Sequence, residues 1–239
     1  LRHPYPGQEL QLLFSTHHQY ARAHLTDERM VNPVQPSACC MLLRKYLVGG
    51  RILDLRQLPW ERSLTLLIEA FLPEGGLSQL QLIFEAFGRR SNLILTDQQG
   101  RILDALKRAP GDPGIMPGQP YQPPLAPVKR NPELTGGELQ ILLDRAPADK
   151  LVSDLLRQEI LGISPFFSRE ILCRSGIDLG CKISSLPADA GERIHRSILN
   201  IVAEVRPDRA FALCNEFGKT IDCSVFPPEQ SGYTFQILP

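Results

Sequence analysis

The sequence lacks a net charge, a long hydrophobic run and a recognisable secretory leader. Lys plus Arg and Asp plus Glu each total 26 among 239 residues, so no global basic character indicates a nucleic-acid partner. No apolar run approaches the roughly 20 residues that a membrane-spanning helix needs. These absences argue against a membrane protein, and we expect a cytoplasmic protein with no membrane partner.

The sequence also lacks the cysteine spacings of a metal site. None of the six cysteines forms a Cys-x-x-Cys pair or stands at ligand spacing from a histidine. His17, His18 and His24 form a histidine cluster, but no carboxylate or thiol spacing completes it as a metal site. We therefore expect free, mostly buried thiols of a reducing compartment, with no metal and no cofactor.

Two parts of the chain differ in charge and composition. Residues 1–130 carry 15 basic and 11 acidic side chains, whereas residues 131–239 carry 11 and 15, so the first part is net +4 and the second net −4. A proline-rich stretch over residues 109–132 is predicted to be an exposed, extended linker, because proline fixes φ and removes a donor. We expect two domains, residues 1–128 and 129–239.

Apolar segments separated by turn residues dominate the first domain. QELQLLFS and ARAHLT alternate as strands do, around a turn at residues 17–20, and further segments follow up to residue 108. Residues 97–100 are predicted to form a hairpin turn, because glycine supplies a left-handed residue there. The pattern predicts an α+β domain in which antiparallel strands support one helix.

That helix is predicted over residues 38–48, in the stretch ACCMLLRKYLVGGRI. Ser37 suits its N-cap, and the two glycines that follow suit its end. If the side with Met41, Leu42 and Leu47 packs on the sheet, the helix presents two basic residues to a polyanion, Arg44 and Lys45. An ordinary solvated helix face is the alternative.

The second domain is predicted to be helical, with a small hairpin at the C-terminus. Its apolar residues recur at three- and four-residue spacing. Between two of these helices, Ser164 suits an N-cap and Gly162 suits a tight connection. A helix, a glycine-containing hairpin and a second helix with free amides can contact a phosphate group. A purely structural helix corner explains the same pattern.

Basic residues bracket the predicted strand ends of the first domain, where their side chains can converge on one rim. The planar guanidinium of arginine suits phosphate oxygens. Glu61 and Arg62 fall in a predicted strand, where neighbours point to opposite faces, so one of them lies toward the next layer or at an edge. An exposed cross-strand pair is the alternative. The candidate polyanion-binding residues are Glu61, Arg62, Arg89, Arg90, Arg44, Lys45, Lys107 and Arg108.

Several segments resemble, in order and spacing, the N-terminal module of the NFACT family. They are STHHQYARAHLT, CCMLLRKYLVGGRI, WERSLTL, FGRRSNLILTDQQGRILDALKR, PGQPYQPP and LGISPFFSREIL. The resemblance covers nearly the whole chain. It implies an N-domain like that of the formamidopyrimidine-glycosylase fold, followed by a helix-hairpin-helix domain. We also expect this chain to lack the family's opening helix and first strand, its coiled coil and its RNA-binding domain.

What the resemblance implies is a ribosome-associated quality-control factor. Such a protein binds the large ribosomal subunit obstructed by peptidyl-tRNA and recruits tRNA, alanyl-tRNA in bacteria, for template-independent tailing. Because the ribosome forms the peptide bond, we expect no enzyme activity, no catalytic residue and no small-molecule substrate. Bacterial members of the family use an Asp-Arg pair to engage tRNA. This pair corresponds to Glu61 and Arg62, with Glu in place of Asp. The family's Gly-Arg-His-Ser-Asn motif falls on residues 88–92, with Arg90 for His.

Two other functions remain open. A DNA-binding glycosylase needs an N-terminal proline amine beside a glutamate, whereas Leu1, Arg2, His3 and Pro4 have no acidic neighbour. A fibronectin-binding surface adhesin, the older label of bacterial family members, needs an export route that the sequence does not reveal.

Overall fold

The computed structural model describes residues 9–28, 30–57, 59–111, 114–123, 129–206, 209–230 and 234–238. The chain forms two compact units, Leu1–Leu125 and Ala126–Pro239. Within the described ranges, no helix combines the length and the hydrophobicity that crossing a bilayer requires. Both units contain helices and antiparallel sheets, in agreement with the predicted α+β class.

The first unit is built on a five-stranded antiparallel sheet whose strands pair in chain order. A separate two-stranded hairpin precedes it, whereas the sequence pattern did not separate these two strands from the sheet. The predicted turn at residues 97–100 is confirmed, since Gly100 adopts a φ of 75°. The elements are β1 (Gln11–Ser15), β2 (Arg22–Thr26), α1 (Ala38–Leu47), β3 (Arg51–Gln57), β4 (Ser63–Phe71), β5 (Leu77–Glu85), β6 (Asn92–Thr96) and β7 (Ile102–Ala105).

Helix α1 begins where the sequence predicts. The Ser37 hydroxyl oxygen accepts a hydrogen bond from the Cys40 N–H at 3.2 Å, and Gly49 follows the last turn with a φ of 81°. The packed side of the helix agrees with the prediction at Leu42 and Leu47 but not at Met41, which is exposed. The residues that pack on the sheet lie together on one side of the helix; they are Leu42, Leu43, Tyr46 and Leu47.

The two faces of the five-stranded sheet are covered differently. Helix α1 and strand β1 pack on one face, where the rings of Phe14 and Phe84 lie 5.2 Å apart. On the other face, Ile115 and Tyr121 pack against Ile83 and other buried residues. Residues 114–121 of the proline-rich stretch therefore belong to the fold of the first unit.

The prediction of an exposed linker over residues 109–132 is therefore wrong for residues 114–121. The Ile102 N–H donates to the Gln119 carbonyl at 2.8 Å, and the Gly118 N–H donates to the Ile102 carbonyl at 2.7 Å. Prolines cannot donate, but the amides between them bond to the edge strand β7 and the turn before it.

Four helices form the core of the second unit, as predicted. Their buried apolar sides meet in one cluster that includes Leu139, Leu156, Ile171 and Ile198. The helices are α2 (Gly136–Arg145), α3 (Val152–Glu159), α4 (Pro165–Arg174) and α5 (Ala190–Glu204).

The C-terminal part is a three-stranded sheet, whereas the sequence predicted a hairpin. Its order is β10-β8-β9, with β8 (Ala210–Cys214) in the centre, flanked by β9 (Thr220–Ser224) and β10 (Thr234–Leu238). β8 takes the centre because its side chains from residue 211 onward are buried.

The cysteines are free, but their burial is mixed. Cys39 and Cys214 are buried, whereas Cys173 and Cys223 are exposed. The expectation of mostly buried thiols therefore holds for only some of them.

Candidate nucleic-acid interface

Three connections of the first unit meet at one end of the five-stranded sheet. In the antiparallel register, Gln57 pairs with Leu64, Ser63 pairs with Glu85, and Glu85 pairs with Asn92. The β3–β4 connection, the β5–β6 connection and the chain after β7 therefore lie at the same end. We call this the basic sheet end. It carries six of the predicted polyanion-binding residues: Glu61, Arg62, Arg89, Arg90, Lys107 and Arg108.

Glu61 and Arg62 lie in the β3–β4 connection, and not on a strand as predicted. Strand β3 ends at Gln57 and β4 begins at Ser63, and Pro59 between them has no N–H to donate to a strand pair. Main-chain carbonyls fix the pair in place. The Glu61 carbonyl accepts from Gln57 Nε2, and the Arg62 carbonyl accepts from the Ala86 N–H, both at 2.8 Å. The side chains of both residues are therefore not needed to hold the turn.

Trp60, which sequence reasoning passed over, gives this connection its shape. It has a φ of 62°, and among the described residues it is the one non-glycine residue in the left-handed region. Such backbone is strained for a bulky residue and is concentrated at functional sites. The signal in the sequence was a Pro-Trp dipeptide directly before the Glu61-Arg62 pair.

Arg89 and Arg90 lie in a 3₁₀ helix, Gly88–Arg90, between β5 and β6. Both side chains are exposed, and Gly88 makes the turn possible with a φ of 62°. Glu85 lies buried beneath them. Burial raises the pKa of the Glu85 carboxyl, which a hydrogen bond from Tyr121 and the charge of Arg90 lower only in part. The arginines therefore stand above a carboxyl group that resists ionisation.

Asn92 joins this motif to the chain after β7. Its Nδ2 donates to the Lys107 carbonyl at 2.8 Å, and its Oδ1 accepts from the Lys107 N–H at 2.9 Å. The Lys107 ammonium donates to the Thr16 carbonyl, in the β1–β2 connection, at 2.8 Å. The buried amide thus brings a third connection to the basic sheet end.

Arg108 is partly neutralised. Its Nε donates to Asp104 Oδ1 at 2.8 Å, and this carboxylate is almost fully buried, whereas Arg108 is half exposed. The hydrogen bond from Arg108 holds the pKa of Asp104 below its usual value. Arg108 therefore has a structural partner, which makes it a weaker candidate for phosphate than the arginines at 89 and 90.

Arg44 and Lys45 lie apart from the other candidates. Both are exposed in the last turn of α1. The chain after that turn contacts Ile68, since a Cβ at Gly50 would lie 3.0 Å from Ile68 Cγ2. Ile68 is five residues along β4 from its start, about 16 Å from the basic sheet end at a strand rise of about 3.3 Å per residue. The structure therefore does not bring these two residues to the common rim.

The net charge of the basic sheet end is positive. Among the described residues, the arginines at 62, 89 and 90 form no ion pair, and Arg62 stands over the Phe87 ring with 5.7 Å from its Cζ to the ring centroid. Exposed guanidinium groups without acidic partners favour phosphate oxygens. The site suits a polyanion.

Three aromatic side chains at the tip of the β1–β2 hairpin border this site. His17 stacks on Tyr20, the tilted ring of His18 lies beside it, and all three are exposed. From the sequence we consider the histidines only as metal ligands, and no group of three or more possible ligands is found among the described residues. The signal that could have found them is a run of ring-bearing residues at a hairpin tip.

The α3–α4 hairpin in the second unit has the predicted local geometry. Gly162 has a φ of 72°, and the Ser164 hydroxyl oxygen accepts from the Phe167 N–H at 3.1 Å. Because this amide is capped and Pro165 has no N–H, the first turn of α4 offers fewer donors to a phosphate than expected. The Arg130 N–H bonds to the Glu159 carbonyl, which lays a basic residue beside the hairpin.

The residues on which the glycosylase alternative was judged, 1–4, lie outside the described residues.

Comparison with known proteins assigns the chain to a family. A family model described as NFACT N-terminal and middle domains matches residues 3–237. The Rqc2 homolog RqcH of Bacillus subtilis (strain 168) is 33% identical over 204 residues, which are 82% of this chain and 35% of that protein. The Rqc2 homolog RqcH of Streptococcus pneumoniae serotype 2 (strain D39 / NCTC 7466) is 30% identical over 186 residues, which are 68% and 34%. The chain thus spans about a third of the length of these curated relatives.

Solved structures share the fold. The fibrinogen binding protein from Staphylococcus aureus superimposes with a TM-score of 0.78 at 23% identity, over 98% of this chain and 80% of that one. The N-terminal part of the fibronectin/fibrinogen-binding protein from Streptococcus suis gives 0.67 at 24% identity, over 95% and 80%. At such identities the likeness shows the fold alone. The extent of the family match and the identity to the curated relatives together show that this chain belongs to the NFACT family.

Proposed function

We propose that the basic sheet end binds tRNA. The observation that carries this proposal is the convergence of Arg62, Arg89 and Arg90 at one end of the sheet without an ion pair among the described residues. Residues so distant in sequence meet there only because the strands are antiparallel. A folded RNA with closely spaced phosphates suits such a surface. Each contact between an arginine and a phosphate releases counterions from the RNA, which favours binding.

The residues of the site have separable roles in this proposal. The arginines at 89 and 90 contact phosphates, since their side chains are exposed on a turn that the backbone fixes. Arg62 donates to a phosphate or to a base edge, and Glu61 accepts from a base amine or a ribose hydroxyl. Glutamate is longer than the aspartate of the family's usual pair, so the acceptor oxygen reaches further from the same turn.

The wider role follows from the relatives named Rqc2 homolog RqcH. In our proposal the whole protein is a ribosome quality-control factor that binds the large subunit obstructed by peptidyl-tRNA. It recruits tRNA, alanyl-tRNA in the bacterial case, so that the stalled chain is extended without a template. This chain binds and positions, and the ribosome performs the chemistry.

The test is the double variant Glu61→Ala/Arg62→Ala in the full-length protein. Both side chains can be removed without losing the main-chain bonds of the turn. Arg62 is exposed and Glu61 is partly exposed. Surface replacements of this kind usually change stability by about 0.5 kcal/mol or less, and the contact of Arg62 with Phe87 adds about 0.5–1 kcal/mol. We expect a nearly unchanged melting temperature, weaker tRNA binding and no tail synthesis on obstructed large subunits.

A matched control lies on α5, where Glu192 and Arg196 form an exposed ion pair. The variant Glu192→Ala/Arg196→Ala removes the same two residue types and is expected to bind tRNA and to support tailing normally. If the Glu61→Ala/Arg62→Ala variant binds and tails like this control, the proposed tRNA role of the pair is wrong. If it melts much earlier, the pair is structural.

The α3–α4 hairpin with Gly162 and Ser164 is a second candidate RNA contact of this proposal, with Arg130 as its cation. The likeness to the glycosylase fold and to a helix-hairpin-helix domain stays a prediction. Cleavage of damaged duplex DNA by the full-length protein would favour the glycosylase alternative, and its recovery at the cell surface would favour the adhesin.

A further inference from the structure

The tip of the β1–β2 hairpin holds three adjoining rings in solvent. The rings of His17 and Tyr20 stack, with centroids 5.1 Å apart and planes inclined by 14°, and the ring of His18 lies 4.4 Å from that of His17 at a tilt of 34°. Tyr20 is 64% exposed. An exposed aromatic stack contributes little to the core, so its packing does not explain it.

Hydrogen bonds within the hairpin hold the ring of His17 and the backbone at Tyr20. The Gln19 N–H donates to His17 Nδ1 at 3.3 Å, and Arg22 Nη1 donates to the Tyr20 carbonyl at 3.0 Å. Strands β1 and β2 are paired in register directly below, with Ser15 opposite Arg22. The ring stack is therefore a preorganised surface that loses little conformational freedom on binding.

The same loop is attached to the basic sheet end at two points. The Lys107 ammonium donates to the Thr16 carbonyl at 2.8 Å. The His18 carbonyl lies against Gly88, where a Cβ would be 3.6 Å from it. Since Gly88 begins the 3₁₀ helix of Arg89 and Arg90, the rings and the guanidinium groups belong to one continuous surface.

Exposed rings beside cationic side chains suit a single-stranded segment of a nucleic acid. Nucleobases stack on exposed aromatic side chains in single-stranded segments, while cations hold the adjoining phosphates. Bases inside a duplex are not accessible to such a stack. We propose that the Tyr20–His17–His18 stack receives an unpaired base of a structured RNA, with Lys107 and the arginines at 89 and 90 on its phosphates. This inference rests on the proposed tRNA-binding function and adds the mode of recognition.

The test uses the full-length protein and two labelled RNA probes, a tRNA anticodon-arm hairpin with its loop and a fully paired duplex of the same stem. For Tyr20→Ala we expect hairpin affinity to fall by roughly 5- to 100-fold, since stacking is lost. Duplex affinity stays unchanged, and so does the slope of log K against log salt, because no charge is removed. Tyr20→Phe keeps the ring and retains wild-type affinity.

The matched control is Phe71→Ala, which removes a 77% exposed ring at the opposite end of β4. It is expected to bind both probes normally. The variant Arg89→Ala/Arg90→Ala is expected to weaken binding to both probes. It is also expected to lower the magnitude of the slope of log K against log salt by about 1.4–1.8. If this variant loses affinity while Tyr20→Ala does not, the stacking proposal is wrong and the tRNA surface stands. If neither variant changes binding, the proposed function fails as well.

Discussion

Replacing Arg174 with Met is expected to destabilise the second unit strongly. Arg174 ends α4 with its side chain only 7% exposed, and it donates to Glu170 and to Glu204 at 2.7 Å each. A third bond at 2.7 Å goes to the Pro227 carbonyl. The guanidinium group therefore ties α4 to α5 and to the segment after β9.

The magnitude follows from what the variant leaves behind. Glu170 is fully buried, and without Arg174 its carboxylate keeps two donors among the described residues, the N–H groups of Glu229 at 2.8 Å and Gln230 at 3.2 Å. Removing one partner of a buried ion pair costs about 3–5 kcal/mol, since an uncompensated charge remains. Methionine still packs on the neighbouring Phe226 ring, so we expect the lower part of this range, about 3 kcal/mol.

The assay is urea unfolding of the full chain, followed by two signals. Far-UV circular dichroism reports mainly on helices α2–α5 of the second unit, whereas the fluorescence of Trp60, the single tryptophan, reports on the first unit. A loss of about 3 kcal/mol lowers the dichroism midpoint by about 1–3 M at usual slopes for urea. The fluorescence transition is expected to stay in place.

Two further variants show whether the reasoning is right. Arg157→Met removes a half-exposed pair with Asp154 and is expected to cost less than about 0.5 kcal/mol. Adding Glu170→Gln to Arg174→Met removes the uncompensated charge and is expected to recover part of the loss, with a coupling of about 1 kcal/mol or more. A dichroism midpoint for Arg174→Met equal to that of Arg157→Met would refute the account.

Three other predictions concern the first unit. Because the hydrogen bond from its arginine partner lowers the pKa of Asp104 in the folded protein, the ionised carboxylate stabilises the fold above about pH 4 and this contribution is lost as the pH falls through the lowered pKa. Asp104→Asn should therefore have a lower urea midpoint than wild type at pH 7, and the difference should shrink as the pH falls below about 4; a gap that does not shrink in acid would contradict the linkage. Gly88→Ala should cost about 1–2 kcal/mol for a left-handed alanine, whereas Gly137→Ala in α2, with no neighbour within 4 Å, should cost nothing; equal melting temperatures would exclude the strain. The amides of Gly118 and Tyr121, which donate at 2.7 and 2.8 Å, should exchange hydrogen as slowly as strand amides; rapid exchange would restore the linker interpretation.

The sequence was sufficient for features that depend on a few neighbouring residues. A hydroxyl before an apolar run fixed the start of α1 at Ser37, and a glycine fixed the turn at Gly100, because capping and positive φ are local requirements. Three- and four-residue apolar spacing predicted the helices of the second unit for the same reason. The family resemblance pointed to the pair at positions 61 and 62.

Features that depend on register and packing were beyond the sequence. Met41 is as apolar as its neighbours, so its pattern could not show which side of α1 faces the sheet. Proline content suggested a linker, but the packing of Ile115 and Tyr121 onto the sheet outweighs it. The sequence also does not show where in the fold a basic residue lies. Arg44 was therefore grouped with the residues of the basic sheet end, although it lies apart from them.

The basic sheet end itself was decided by tertiary structure. Arg62, Arg89 and Lys107 meet because antiparallel strands return alternate connections to one end, and the register fixes how far each strand extends. The sequence determined that these residues are charged and stand beside strands. Only the pairing of the strands, and the attachment of the hairpin tip through Lys107 and Thr16, determined that they form one surface with the rings of His17 and Tyr20.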